Sequence, residues 1–197
     1  GAAEMSLDGI RIGFCMSGSF CTFGKAFEQA RRLTELGARL TPVMSFNAAG
    51  LDTRFGSAAE NVAEIERICG APAICTLPAA EPIGPKKMFD LLLICPCTAT
   101  TMAKLANGIY DTPVALAAKS HLRAERPVLL APSTNDALSA SAANIGRLMN
   151  LSHYYFVPMF QDDCSAKPRS LTADFSQVPA AVRSALMGRQ IQPIFCK

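Results

Sequence analysis

The chain has few of the residues that most often move protons or bind metals near neutral pH. Among 197 residues there are two histidines, His121 and His153, and no tryptophan. One histidine falls in a helical run and the other in a loop, and a surface or packed imidazole accounts for each. Charge is also sparse. Charged residues make up 18% of the chain, the net charge is +3 and no basic run stands out, so nucleic acid is not implied as a partner. No apolar stretch approaches the roughly 20 residues that a membrane-spanning helix needs. The start of the chain lacks the charged and apolar regions of a secretory signal. Gly1-Ala2-Ala3-Glu4 before Met5 reads as a cloning remnant. The expectation is a cytoplasmic protein, with a short tail over 1–8 and a single domain over 9–197.

What is present is apolar. Hydrophobic residues account for 50% of the chain, enough for one sizeable core. Eight cysteines would suggest disulfides in a secreted protein, but without a signal peptide they are expected to be reduced. Cys95 and Cys97 are separated by a single residue, and no Cys or His cluster has zinc-site spacing. No metal site is expected.

The most informative stretch runs from Leu91 to Asn107. Leu91-Leu92-Leu93-Ile94-Cys95 reads as a strand buried on both faces, as in a parallel sheet covered by helices. Pro96 is expected to end it, because proline cannot donate to a ladder. Thr98 or Thr100 can cap the following helix, with Met102, Leu105 and Ala106 on its apolar face. A strand, a hydroxyl-rich turn and a helix start make an anion or cofactor site, or simply a capped helix. Cys97, beside this turn, is a reactive thiol if the helix start lowers its pKa, and otherwise a small filler.

Other segments repeat the pattern. Ile10 to Met16 is a strand followed by Ser17-Gly18-Ser19 and a helix from about Thr22 to Leu36, closed by Gly37. Arg39 to Met44 is a second strand ending at Ser45, and Pro42 places it near an edge. Asn47 to Phe55 is expected as loop, Ser57-Ala58-Ala59-Glu60 as a capping box, and Ala73 to Thr76 as a short strand. Pro78 to Pro85 reads as loop, and Thr112-Pro113 as the start of a helix to about Leu122. Pro127 to Ala131 is another buried strand, with Asn135 able to cap a helix containing Leu138, Ile145, Leu148 and Met149. Tyr154 to Val157 is the last clear strand, Phe160 to Arg169 a polar loop, and Ser176 to Met187 the final helix.

Alternation of strand and helix predicts a doubly wound α/β fold: a mainly parallel sheet with helices on both faces, a flavodoxin- or Rossmann-like three-layer sandwich. Ligands of such sheets bind outside the carboxyl ends of the strands. The predicted site therefore gathers Ser17, Gly18, Ser19, Ser45, Thr98, Thr101 and Asn135. These neutral groups suit a polyol or phosphate and include no obvious general base, so no catalytic residue is assigned.

Pro96-Cys97-Thr98-Ala99-Thr100-Thr101 resembles the Pro-x-Ser-Ala-Asn-Thr motif of the homo-oligomeric flavin-binding proteins, which include the FMN-dependent cysteine decarboxylases and the flavin prenyltransferases. Pro132-Ser133-Thr134-Asn135 is similar to their Pro-x-Met-Asn motif, and Ser17-Gly18-Ser19 to their first phosphate turn. A narrower resemblance, from about Arg11 to Phe195, is to a branch of B subunits of two-subunit enzymes of spore-forming bacteria. It includes Asp52-Thr53-Arg54-Phe55-Gly56, Ala80 to Lys86, Ser133 to Leu138, and Tyr155 to Pro158 with Gln161-Asp162. That resemblance implies oxidation of a cyclic dihydro-dicarboxylate to an aromatic dicarboxylate in the mother cell during sporulation. It also implies an A subunit carrying NAD(P), a trimer or larger homo-oligomer, and FMN in the turns named above, with phosphate or no occupant as the alternatives. Arg54, Arg123, Lys167 and Arg169 are the cations that could grip the substrate's carboxylates. Departures from the family are a missing histidine between Ser45 and Gly56, Thr100 in place of the motif asparagine, and Thr134 in place of its methionine. The first disfavours decarboxylation of a peptidyl cysteine. An independent FMN enzyme and a non-catalytic stabilising subunit are the competing readings.

Overall fold

The computed structural model describes residues 6–196, so the expected tail over 1–8 lies outside the described residues as far as position 5. Leu7 is not loose: it is buried, and its N–H donates to the Leu36 carbonyl at 2.8 Å. In the first strand, β1 (Arg11–Met16), Ile12, Phe14 and Met16 face one side of the sheet and Cys15 the other. A 3-10 turn over Phe20–Thr22 leads into α1 (Phe23–Glu35), whose Phe23, Phe27, Ala30 and Leu33 form the buried stripe. Strand β2 (Arg39–Met44) pairs with β1 and, apart from a single bridge on its other side, forms the edge of the sheet, where Pro42 is tolerated.

Three loop or strand expectations in the next stretch are corrected. Asn47 to Phe55 is not all loop, because the Ser45 hydroxyl accepts from the Ala48 N–H at 3.1 Å and starts α2 (Phe46–Gly50). After α3 (Ala58–Cys69), with its Ser57–Glu60 capping box and left-handed Gly70, Ala73 to Thr76 forms no strand. Ile74 makes one bridge to Val43 before Thr76 caps a helix. The proline-rich stretch is that helix, α4 (Leu77–Ala80), followed by a 3-10 turn over Glu81–Ile83; prolines in first turns have no amide bond to lose.

Every residue of β3 (Leu91–Cys97) is buried, and the strand does not end at Pro96. The Cys95–Pro96 peptide is cis, and a shift in register against the next strand between Ile94 and Cys97 takes up the residue that lacks an N–H. Helices α5 (Ala99–Ala106) and α6 (Pro113–Leu122) start at Thr98 and Thr112 as expected. Strand β4 (Val128–Thr134) runs past the expected turn at Pro132, because its end is paired antiparallel with a later strand. Asn135 caps nothing: Asp136 organises a turn, and α7 (Ala142–Asn150) starts only after it, leaving Leu138 exposed. The chain ends with β5 (Tyr154–Phe156), β6 (Met159–Phe160), β7 (Leu171–Ala173) and α8 (Val178–Leu186).

The parallel strands lie in the order β2-β1-β3-β4-β5, with β7 and β6 added antiparallel to the carboxyl end of β4. Apolar residues of α1, α3 and α8 cover one face, and those of α4 to α7 cover the other. Alternate residues of β3 serve the two layers, Leu91, Leu93 and Cys95 on one side and Leu92 and Ile94 on the other. Burial of each such leucine or isoleucine stabilises the fold by about 1.5–3 kcal/mol. Strand order reverses between β1 and β3, and there the sheet opens a crevice at its carboxyl edge.

The histidines divide. His153 sits in a left-handed turn (φ 72°), whereas His121 is 1% exposed at the end of α6, with Nε2 3.0 Å from the Pro127 carbonyl. Burial pushes its pKa down to about 4, against the pull of that carbonyl. The unfolded chain therefore binds a proton between pH 6.5 and 4 that the folded chain refuses. Stability is expected to be full above pH 6.5 and to fall by up to about 3 kcal/mol on the way to pH 4. Urea unfolding across this range should show the slope, and His121→Leu should flatten it.

Candidate functional site

The turn after β1 and the turn after β3 are joined by one side chain. The buried Ser17 hydroxyl donates to the Pro96 carbonyl at 2.9 Å and accepts from the Thr98 N–H at 2.9 Å. Ser17 is thus committed to holding two strand ends together. Thr98 in turn accepts from the Thr101 N–H at 3.2 Å and lies 3.1 Å from the Thr101 hydroxyl. The amides of Ala99 and Thr100, in the first turn of α5, have no acceptor within the helix.

Two clefts open on either side of this helix start and share Thr98 and Thr100 as a wall. The smaller, of about 550 Å³, lies against Ser17, Gly18 and three helix starts. Ser45, Thr98 and Thr112 each accept a bond from the amide three residues on, at 3.1, 3.2 and 3.3 Å. Lys104 and Asp111 also line it, paired at 2.6 Å, and that pairing holds the Asp111 carboxyl below its ordinary pKa. Gly18 is not required by crowding, since an added Cβ would meet its nearest neighbours at 3.5 Å.

The larger cleft, of about 810 Å³, is bounded by Ser19, Cys21 and Lys25 from the start of α1, by Ser133 to Asn135 at the end of β4, and by the β6–β7 hairpin. The Ser19 hydroxyl is 3.3 Å from that of Ser133, a second tie between strand ends. Asp136 accepts from the Thr134 hydroxyl at 2.6 Å and the Ser141 hydroxyl at 2.8 Å; these bonds hold its pKa below the ordinary value, against the effect of burial. The resulting turn presents the exposed Asn135 carboxamide to the cleft. From the hairpin, Asp162 faces Lys167 at 3.7 Å. Burial pushes the Asp162 carboxyl up, but the Ser170 hydroxyl, its own amide and Lys167 outweigh it and hold the pKa below the ordinary value.

All the predicted cofactor residues therefore meet at this edge: Ser17, Gly18, Ser45 and Thr101 at the smaller cleft, Ser19 and Asn135 at the larger, and Thr98 at both. Of the predicted carboxylate partners, only Lys167 lines either of these two clefts. Arg54 stacks over Phe55 with its guanidinium 4.8 Å from the ring centre. Arg123 follows α6 at the opposite edge of the sheet and lines a separate groove with Glu81 and Lys119. Arg169 is exposed outside both clefts, with its carbonyl accepting from the Leu138 N–H at 3.0 Å. Residues that sequence reasoning missed are Lys25, Lys104, Ser133 and Asp162. Lys25 carried a signal, since a cation in the first turn of a helix opposes the dipole. Cys97 is fully buried and its pKa is raised by burial, which makes it the small filler rather than the reactive thiol. No group of three or more potential metal ligands gathers among the described residues, and none of their helices is long and apolar enough to cross a membrane.

A parallel sheet of this order, with hydroxyl-lined clefts where it reverses, defines a doubly wound α/β protein of the flavodoxin-like class. The family model described as Flavoprotein matches residues 1–180, and the chain belongs to that family. It is 45% identical to the B subunit of dipicolinate synthase from Bacillus subtilis over 96% of this chain and 94% of that one. The crystal structure of the corresponding B subunit of dipicolinate synthase from Bacillus halodurans superposes with a TM-score of 0.90 at 39% identity, covering 98% of this chain and 99% of that one. The FMN-dependent cysteine decarboxylase SpaF shares the fold, with a TM-score of 0.68 at 24% identity over 91% of this chain and 99% of that one.

Ser17→Ala is expected to leave the Thr98 amide without its acceptor and to lower stability by about 1–3 kcal/mol, measured by urea unfolding. A change under about 0.5 kcal/mol would mean the two turns hold together without the clasp.

Proposed function

We propose that this chain is the B subunit of a dipicolinate synthase, acting with an NAD(P)-binding A subunit in the cytoplasm of a sporulating mother cell. The observation that carries the reading is the 45% identity to the Bacillus subtilis protein along nearly the whole chain. In the reaction the cyclic dihydrodipicolinate loses two electrons and two protons and becomes the aromatic dicarboxylate. A homo-oligomer, trimeric or larger, and a single domain over 9–197 complete the proposal.

FMN fits the residues present. The clefts offer neutral hydroxyls, the Asn135 carboxamide, unpaired amides at the start of α5 and the positive ends of helices, which suit a phosphate and a polyol chain. Their volumes lie in the range of small-molecule sites. When bound, FMN supplies a two-electron acceptor. Ser45, Thr98, Thr101 and Asn135 would hold and orient it, while Ser17 and Ser19 keep the strand ends in register beneath it. Ser45, Thr98, Thr101 and Asn135 are neutral groups that bind and orient; they do not move protons.

The test is dipicolinate formation by this protein mixed with an A subunit, with each alone as control, with and without FMN. Product only from the mixture is expected. Thr98→Ala and Asn135→Ala should each lower the rate of the complex by about tenfold, the scale of one lost hydrogen bond to a charged group. Unchanged activity in both variants would favour a stabilising subunit. Absence of product from a yellow, FMN-bound protein would favour an independent flavoenzyme.

A further inference from the structure

The two clefts differ in charge, and the difference separates their ligands. In the smaller, Lys104 and Asp111 are 2.6 Å apart, a short charge-assisted bond that leaves the pair neutral. In the larger, Lys25 has no hydrogen-bond or ion-pair partner among the described residues. Lys167 and Asp162, at 3.7 Å, are too far apart for such a bond. One cation without a partner and one loosely held cation leave this cleft net positive. The start of α1 adds the same sign through its dipole, which no acidic residue in its first turn offsets. Phe160, 37% exposed, gives the cleft an aromatic face as well.

We propose that the larger cleft is the dicarboxylate subsite, with Lys25 and Lys167 taking one carboxylate each and Asp162 competing with the ligand for Lys167. Asp162 opposes any anion at Lys167, so the preference for dianions comes from the two lysines together. A dianion meets both of them. A monoanion leaves one lysine unmatched or Asp162 in place. Phe160 offers its face to the planar ring. The smaller, neutral cleft, with Thr98 on the shared wall and Asn135 from the larger one, is left to the group that hydroxyls, helix starts and that carboxamide recognise. This assignment rests on the reading that the ligand is a dicarboxylate, and it adds two residues to the site, Lys25 and Asp162.

Cys21 supplies a probe independent of activity. It is exposed and lines the larger cleft, whereas Cys164 is exposed on the hairpin and lines neither. The full chain is titrated calorimetrically with dipicolinate and with picolinate, alone and mixed with the A subunit. Iodoacetamide labelling of Cys21 and Cys164 is followed by mass spectrometry in the same samples. Dipicolinate is expected to bind tighter than picolinate and to slow labelling of Cys21 but not of Cys164. Lys25→Met and Lys167→Met should each weaken dipicolinate binding by about tenfold, and Asp162→Asn should tighten it by about threefold. Unchanged affinity in both lysine variants, or loss of binding in Lys104→Met with Cys21 unprotected, overturns the assignment. If the mixture makes product and the lysine variants do so with unchanged KM, the subsite is wrong and the synthase reading stands. If the mixture neither makes product nor binds dipicolinate, both fall together.

Discussion

The bond on which the site depends is the Ser17 hydroxyl, set between the Pro96 carbonyl and the Thr98 amide. It occurs where the strand order reverses, so β1 and β3 diverge toward helices on opposite faces of the sheet just beyond it. Pro96 has no N–H to offer the ladder, and the register shift at Cys97 leaves the strand end in need of another partner. A short buried side chain with one donor and acceptor capacity meets that need. Both clefts are arranged around the helix start that this clasp anchors, because Thr98 and Thr100 form their common wall.

Around that anchor the site is mostly polar and uncharged. Hydroxyl side chains cap helices, tie strand ends together and hold Asp136 in its turn. Most of these hydroxyls already have partners within the chain, so their positions do not wait on a ligand. The charged residues are few and come from the first turn of α1, from α5 and the loop after it, and from the hairpin. Different chemistry in two adjoining clefts follows from which of those charges are tightly paired.

Much of this was legible in the residues. Five consecutive apolar residues from Leu91, helices bounded by Ser57 and Gly70 or by Thr112 and Pro113, and an edge strand containing Pro42 all have local causes, and the folded chain agrees with them. Local rules failed where distant chain supplied a partner. Pro96 did not stop β3, because a bulge against β4 absorbed it. Pro132 did not stop β4, because β7 paired with Ser133 and Thr134. Asn135 did not cap α7, because Asp136 gathered the hydroxyls of Thr134 and Ser141 into a turn of its own.

The same division holds for the site. Sequence by itself determined that hydroxyl-rich turns follow the strands and that the sheet is doubly wound, because burial periodicity and capping act over a few residues. It thereby determined the edge at which Ser45, Thr98 and Asn135 would meet. Only the tertiary structure decided which charges join them. Arg54, Arg123 and Arg169 look as suitable as Lys167 along the chain, yet one stacks on Phe55, one lies at the far edge and one sits outside the clefts. Lys25 and Asp162 enter instead, from elements far apart along the chain. The position of a charge relative to a ligand is set by how layers and hairpins pack, and that information is not local.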